Sequence, residues 1–470
     1  MSEAPPSSHR LPAAPPEAWE PLVRVARIAA APLERFLRIE AASGILLLAC
    51  AGVALAAANS RWGDAYHHLW TLPVGIRIGT FAFERSLEWF VNDVLMAVFF
   101  FVVGLEIRRE SHHGELSEWR RAALPAAAAL GGMLVPALLY LAVASGRATH
   151  SGWGVPMATD IAFALGILTL LGKRVPPALR VLLLALAVID DLGAIVVIAF
   201  FYSSGVAASG LLVAALGLGG IFALQALGVR RKVAYVAPAL IVWGGTYASG
   251  LHPTIAGVVI GLITPVRAWL GADGFVRGVE RELVKLDRPE AMSSHELADH
   301  LKHVDQARRE AMSPAESLIE TLHPWVAFAI MPIFALANAG VSVAGVVWDD
   351  SATRLGLGVV MGLVLGKPMG VLLASFLALR TGFATAPAGI GARQVVVLGV
   401  VAGIGFTMAL FIAQLAFADA RLLAAAKLGV LAASGVAAAF ALVLGRLLLP
   451  PELAPGTAQS ADEAESSTEA

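Results

Sequence analysis

The chain has 470 residues, 58% of them hydrophobic and only 15% charged, with a mean hydropathy of +0.75. Soluble domains average about 25% charged residues, so these figures exclude a soluble enzyme or binding module and point to a polytopic membrane protein. A net charge of −1 gives no bulk attraction to nucleic acid, and the single cysteine, Cys50, excludes an intrachain disulfide.

Residues 1–41 are predicted to be a cytoplasmic, partly disordered extension. Their first 20 residues are rich in Pro, Ala and Glu and lack the apolar run of a cleavable signal. Twelve apolar segments follow, close to the ~20 residues that cross the hydrocarbon as a helix. They are 42–59, 88–107, 122–144, 153–171, 178–202, 208–228, 232–248, 250–266, 322–342, 355–379, 394–417 and 422–448. One twelve-span domain over 42–449 is expected, then a disordered acidic tail over 450–470.

Two connections stand out. Residues 60–87 include Pro73–Phe83, where alternating apolar residues flank Gly79-Thr80 as in a β-hairpin; an irregular loop fits equally well on pattern alone. An exposed hairpin edge would serve as a dimer contact. Residues 267–316 are charged and read as solvated surface helix, for example Glu296–Arg309.

Lys and Arg set the orientation. One set of connections holds only Arg61, Arg77, Arg85, Arg147, Arg354, Arg421 and Lys427. Of the 34 basic residues, the 26 that remain apart from Lys367 fall in the opposite set, which includes both terminal regions. Both termini are therefore expected in the cytoplasm.

Four charges lie well inside predicted spans: Asp160, Asp190, Asp191 and Lys367. An Asp at the centre of a spanning helix costs roughly 2.5–3.5 kcal/mol. Structural ion pairing explains one such charge, but three acids against one base cannot all be neutralised. Some acid must hold a proton or meet a cation. Carboxylate oxygens suit hard cations such as Na+ or Li+. Protons and a cation that compete for Asp190 and Asp191 cannot both load the site, which is the simplest chemistry of an antiporter. Asp93 and Glu106 lie nearer the ends of their span, where water is closer.

Two spans are interrupted, the fourth at Met157-Ala158-Thr159-Asp160-Ile161 and the eleventh at Gly403-Ile404-Gly405-Phe406-Thr407-Met408. Gly and polar residues free backbone groups that a cavity tolerates and lipid does not; close helix packing through small residues is the plainer reading. These are the middle members of spans 3–5 and 10–12, which run in opposite senses. An inverted repeat with a midplane site is the expected fold. Asp160 would offset the positive N-termini of the half-helices and Lys367 their negative C-termini. The fold class is thus an all-α polytopic membrane protein of about 12 transmembrane helices with two interrupted, crossing helices.

Ala158–Gly166, Ile189–Ala194, Gly366-Lys367-Pro368 and Gly403–Met408 closely resemble the NhaA family of bacterial Na+/H+ antiporters, over about Ala42 to Leu448. The resemblance implies a multi-pass inner-membrane protein that extrudes Na+ or Li+ in electrogenic exchange for H+, with no cofactor. It implies that Asp190 and Asp191 bind the cation and protons, with Asp191 the principal ligand and Asp190 the mate of Lys367. Thr159 would lie on the cation path, and Gly403, Gly405 and Thr407 would form the second break. Glu106, Arg109, His252 and Glu320 would respond to pH, Asp93 would mark the external end of the second span, and residues 73–83 would join a homodimer. His252 also reads as a hydrogen-bonded interface residue. Leu322-His323-Pro324-Trp325 follows the family pattern, but Ile319-Glu320-Thr321 before it departs from the Glu-His pair often found there. The insertion at 271–316 is longer than the family pattern leads one to expect.

Two rival functions share features with this pattern. An intramembrane aspartyl protease needs two membrane acids, but on separate helices that approach closely, and its Tyr-Asp and Gly-x-Gly-Asp motifs are absent. A sodium-coupled symporter of organic solutes needs a roomy substrate pocket.

Overall fold

The computed structural model describes residues 42–449 apart from Thr80, Glu115, Ser204, 287–292 and Ala388. The predicted extension over 1–41 and tail over 450–470 lie outside the described residues. The chain is mostly helical, as an apolar segment in lipid must be to satisfy its own backbone.

The first part runs α1 Ala42–Ala58, α2 Gly63–Thr71, strands β1 Pro73–Ile78 and β2 Phe81–Ser86, α3 Leu87–His112 and α4 Trp119–Val143. A 3-10 helix, His150–Met157, precedes α5 Ile161–Leu170 and α6 Pro177–Phe201. Next come α7 Ala208–Ala226, α8 Val236–Ala248, α9 Thr254–Ile263, α10 Gly271–Leu286 and α11 Ser294–Ala311. The last part is α12 Pro314–Asn338, α13 Asp350–Arg380, α14 Ala392–Ala402, α15 Phe406–Ala416 and α16 Ala420–Leu448. Each predicted segment holds helix. Among the described residues, eight helices are long and apolar enough to cross a membrane, and up to ten if each bent pair, α1/α2 at 113° and α14/α15 at 45°, is one span.

β1 and β2 pair antiparallel from Pro73↔Ser86 to Ile78↔Phe81, around Gly79 at φ +60°. The expected hairpin forms and runs three residues past Phe83. Arg77 and Glu84 pair across it at 3.0 Å.

Three predictions are corrected. The segment 250–266 yields only the ten-residue α9: the chain turns at Gly250, φ +85°, before it, and Thr264 leaves the helix in extended backbone ahead of Pro265. The segment 322–342 starts earlier, at Pro314. Ser313 caps it, with Glu316 reaching back to the Ser313 backbone. Lys427, assigned above to an outer connection, lies inside α16 with its side chain buried, 8% exposed.

α4 packs extensively on α13, α3 on α9 and α7 on α8. The α4–α13 contact is backbone against backbone. A Cβ at Gly131 would lie 2.2 Å from Gly370 O, and one at Gly370 2.0 Å from Gly131 O. This closeness, at one turn from Lys367, seats the lysine in the protein interior.

Candidate ion-binding site

Both expected breaks are present. Between the 3-10 helix and α5, residues 158–160 are not helical; between α14 and α15, the helix is open at 403–405. The breaks cross each other. Asp160 N donates to Ile404 O at 2.8 Å. Gly403 is required by space: a Cβ there would lie 2.6 Å from Leu363 O of α13. Gly405 sits beside Ala158 at the same crossing.

Four helix ends meet here, and their orphan backbone groups need partners. Asp160 serves both N-termini. Its Oδ1 accepts from Phe163 N at 3.0 Å and its Oδ2 from Thr407 N at 3.1 Å, with the Thr407 hydroxyl donating to the same oxygen. Ser434 Oγ accepts from Phe406 N at 3.0 Å. At the C-terminal ends, Lys367 Nζ donates to Met157 O, and Thr159 Oγ1 lies 3.0 Å from Ala402 O. Asp160 thus faces both N-terminal ends, whereas Lys367 reaches one C-terminal end and Thr159 the other.

The lysine is held between the break and the acid pair. Lys367 Nζ lies 2.5 Å from Asp190 Oδ2, with both side chains fully buried. Thr159 Oγ1 lies 2.7 Å from the same oxygen, so its one proton is shared between Asp190 and Ala402 O. Asp191 is on the same buried helix, α6, 1% exposed. Among the described residues, Asp190 Oδ1 and Asp191 Oδ1 have no hydrogen-bond partner. Two adjacent, desolvated, unsatisfied carboxylate oxygens cost free energy until a proton or a cation meets them. The carboxylates whose charges bear on Asp191 are Asp190, Glu106 and Asp160, against the single countercharge of Lys367.

The remaining predicted residues fall at two ends. Arg109 and Glu320 line one open cleft of about 510 Å³, with Met312, Glu316, Ile319, His323 and Pro324. Arg109 pairs with Glu110 at 3.0 Å, and Glu106 lies one turn deeper on α3. His252 is not in this group. Its Nε2 lies 3.6 Å from Asp93 Oδ1 at the opposite end of α3, and its Nδ1 is 2.8 Å from Thr254 Oγ1. Sequence reasoning missed Lys427, 3.5 Å from Asn338 Oδ1, while Asn338 Nδ2 donates to Asn92 Oδ1 at 2.8 Å. The signal was there: Lys427 stands five residues inside a predicted span.

Spanning helices, two breaks crossing at a buried point, and adjacent acids beside it define a multi-pass membrane transporter of ions. Residues 34–444 match the family described as Na+/H+ antiporter 1, and the chain belongs to that family. It is similar to a protein from Myxococcus xanthus named Na(+)/H(+) antiporter NhaA 2, at 67% identity over 97% of both chains. It is also similar to a protein of the same name from Sorangium cellulosum, at 54% identity over 97% of this chain and 98% of the relative. A relative from Janthinobacterium sp., named Na(+)/H(+) antiporter NhaA, is 48% identical over 88% and 92%.

Proposed function

We propose that this protein is an electrogenic secondary antiporter of an inner membrane, exchanging cytoplasmic Na+ or Li+ for external H+ at Asp190 and Asp191. The observation that carries this reading is the unpartnered oxygen, among the described residues, on each of two adjacent buried acids, beside the buried Lys367. The family and its named relatives support Na+ and H+ as the cargo.

The chemistry follows from the donor set. Asp190 Oδ1, Asp191 Oδ1 and the Thr159 hydroxyl are oxygen ligands, which suit a hard monovalent cation. A cation at these oxygens excludes protons from them, and protons exclude the cation. A site that takes one monovalent cation or two protons moves net charge in each cycle. Lys367 offsets the charge of Asp190 when that acid holds neither a proton nor the cation. Asp191 is the principal ligand because no lysine or hydroxyl competes for it. The two sides gain access in turn around the broken helices of an inverted repeat, spans 3–5 and 10–12 of a twelve-span domain, with both termini cytoplasmic. The Arg109–Glu320 cleft then lies at the cytoplasmic mouth and Asp93 at the external one, with pH response at Glu106, Arg109 and Glu320. A homodimer joins through the hairpin over 73–83, whose outer edges are free to pair, in contact with membrane lipid.

The protease reading loses its second acid. Asp160 is committed to two helix N-termini, so it cannot share a proton with Asp191. In proteoliposomes with an imposed pH gradient, Na+ or Li+ exchanges for H+, and Asp190→Asn and Asp191→Asn each abolish or nearly abolish it. Wild-type exchange by both variants would overturn the assignment.

A further inference from the structure

The connection between α9 and α12 carries a cluster that ion exchange does not use. α10 supplies Glu282. α11 supplies His300 and His303, one turn apart on one helix face. Each offers one ligand atom, and these atoms lie within 4.8 Å of one another. His300 Nδ1 is 2.6 Å from Glu282 Oε2; these two side chains are 21% and 12% exposed. His303 is exposed and closes the group from the solvent side.

We propose that Glu282, His300 and His303 bind one divalent transition-metal ion of the Zn2+ class, which clasps α10 to α11. The donor set selects the ion. Two imidazoles and a carboxylate are ligands for Zn2+, Co2+ or Ni2+, whereas Na+, Ca2+ and Mg2+ take oxygen shells. Four-coordinate ligation at about 2.1 Å sets ligand atoms about 3.4 Å apart. The metal takes the place of the proton between His300 and Glu282 and opens that contact by less than about 1 Å. The third atom is within side-chain reach of the same point, and water fills the fourth position. A His–Glu hydrogen bond alone accounts for the 2.6 Å contact but gives His303 no part. The clasp is distinct from the site at Asp190 and Asp191. It is joined to the span region through Glu310 of α11, whose backbone oxygen accepts from Leu270 N at 2.9 Å and whose carboxylate pairs with Arg230.

The test uses the full-length protein in detergent, purified without a polyhistidine tag and stripped with chelator. Zn2+ is titrated by calorimetry and Co2+ by visible absorption. The expected result is one ion per chain, the d–d bands of four-coordinate nitrogen and oxygen ligation for Co2+, displacement of Co2+ by Zn2+, and a higher Tm with saturating Zn2+. His300→Gln, His303→Gln and Glu282→Gln each weaken binding at least about tenfold and remove the Tm rise, with Na+/H+ exchange in metal-free buffer unchanged. Asp191→Asn leaves Zn2+ binding intact, which separates this site from the transport site. Tm in metal-free buffer reports any folding defect, and exposed His303 is the position least able to cause one. Absence of stoichiometric binding, or binding that all three variants retain, overturns the proposal.

Discussion

Asp160 Oδ2 accepts the backbone N–H of Thr407 at 3.1 Å, while Asp160 Oδ1 caps the helix that begins at Ile161. One carboxylate thus ends two helices that are distant in sequence. A cap and its charge at a helix N-terminus each contribute about 1 kcal/mol. Asp160→Ala is expected to lower Tm by the loss of both caps and to slow exchange. Asp160→Asn, which keeps an acceptor but not the charge, falls between. Thermal melts in detergent with sodium-tracer uptake check the order; equal Tm values for all three proteins would count against the shared cap.

Lys367→Ala leaves Asp190 buried beside an empty position. Removing one member of a buried pair costs about 3–5 kcal/mol. A marked loss of Tm is expected, and adding Asp190→Asn to the same protein restores part of it. A double variant no more stable than Lys367→Ala would show that the pair at 2.5 Å contributes little.

Gly403→Ala forces a methyl group to 2.6 Å from Leu363 O. Backbone must shift, and overpacking of this kind costs about 1–3 kcal/mol. Exchange is expected to fall further than Tm does, because the displaced backbone is that of the break itself. Transport at wild-type rate with an unchanged melt would show the crossing to be looser than its geometry implies.

Asp349 caps α13, accepting from Ala352 N at 2.8 Å, and pairs with Arg421. The backbone hydrogen bond from Ala352 first, then Arg421, hold its carboxyl below the usual range. A carboxylate so depressed stabilises the fold fully above the unfolded value of about 3.9 and loses that effect as pH falls through its lower folded value. Wild type should therefore melt above Asp349→Asn at neutral pH and converge with it on acidification below about pH 4. A constant Tm gap from pH 7 to pH 3 would refute the assignment.

Deletion of residues 74–85 removes the hairpin. A lone two-stranded sheet is marginal in water and its outer edges invite a second pair of strands. The shortened protein is expected to run as a monomer on size exclusion with light scattering and to keep exchange activity. A dimer of unchanged strength would place the contact elsewhere.

The acid pair was legible because a charge in an apolar run is an energetic anomaly that needs no neighbour to be noticed. The breaks were legible from Gly403, Gly405 and the polar Thr159-Asp160 step. Other features need three dimensions. The pairing of His252 with Asp93 joins positions distant in sequence. The contact of Lys427 with Asn338 also joins distant positions, although the place of Lys427 inside a predicted span was itself legible. The early start of α12 was written in Ser313-Pro314-Ala315-Glu316, but a window that averages hydropathy passes over a cap.

The crossing of the two breaks constrains how the molecule can move. Pulling them apart would sever the bonds Asp160 N to Ile404 O, Thr407 N and Oγ1 to Asp160 Oδ2, and Thr159 Oγ1 to Ala402 O. Severing them would leave buried backbone and side-chain groups unpaired, which is costly. These bonds therefore tie the two half-helix pairs to each other across the crossing, so that neither break can be altered without disturbing the other.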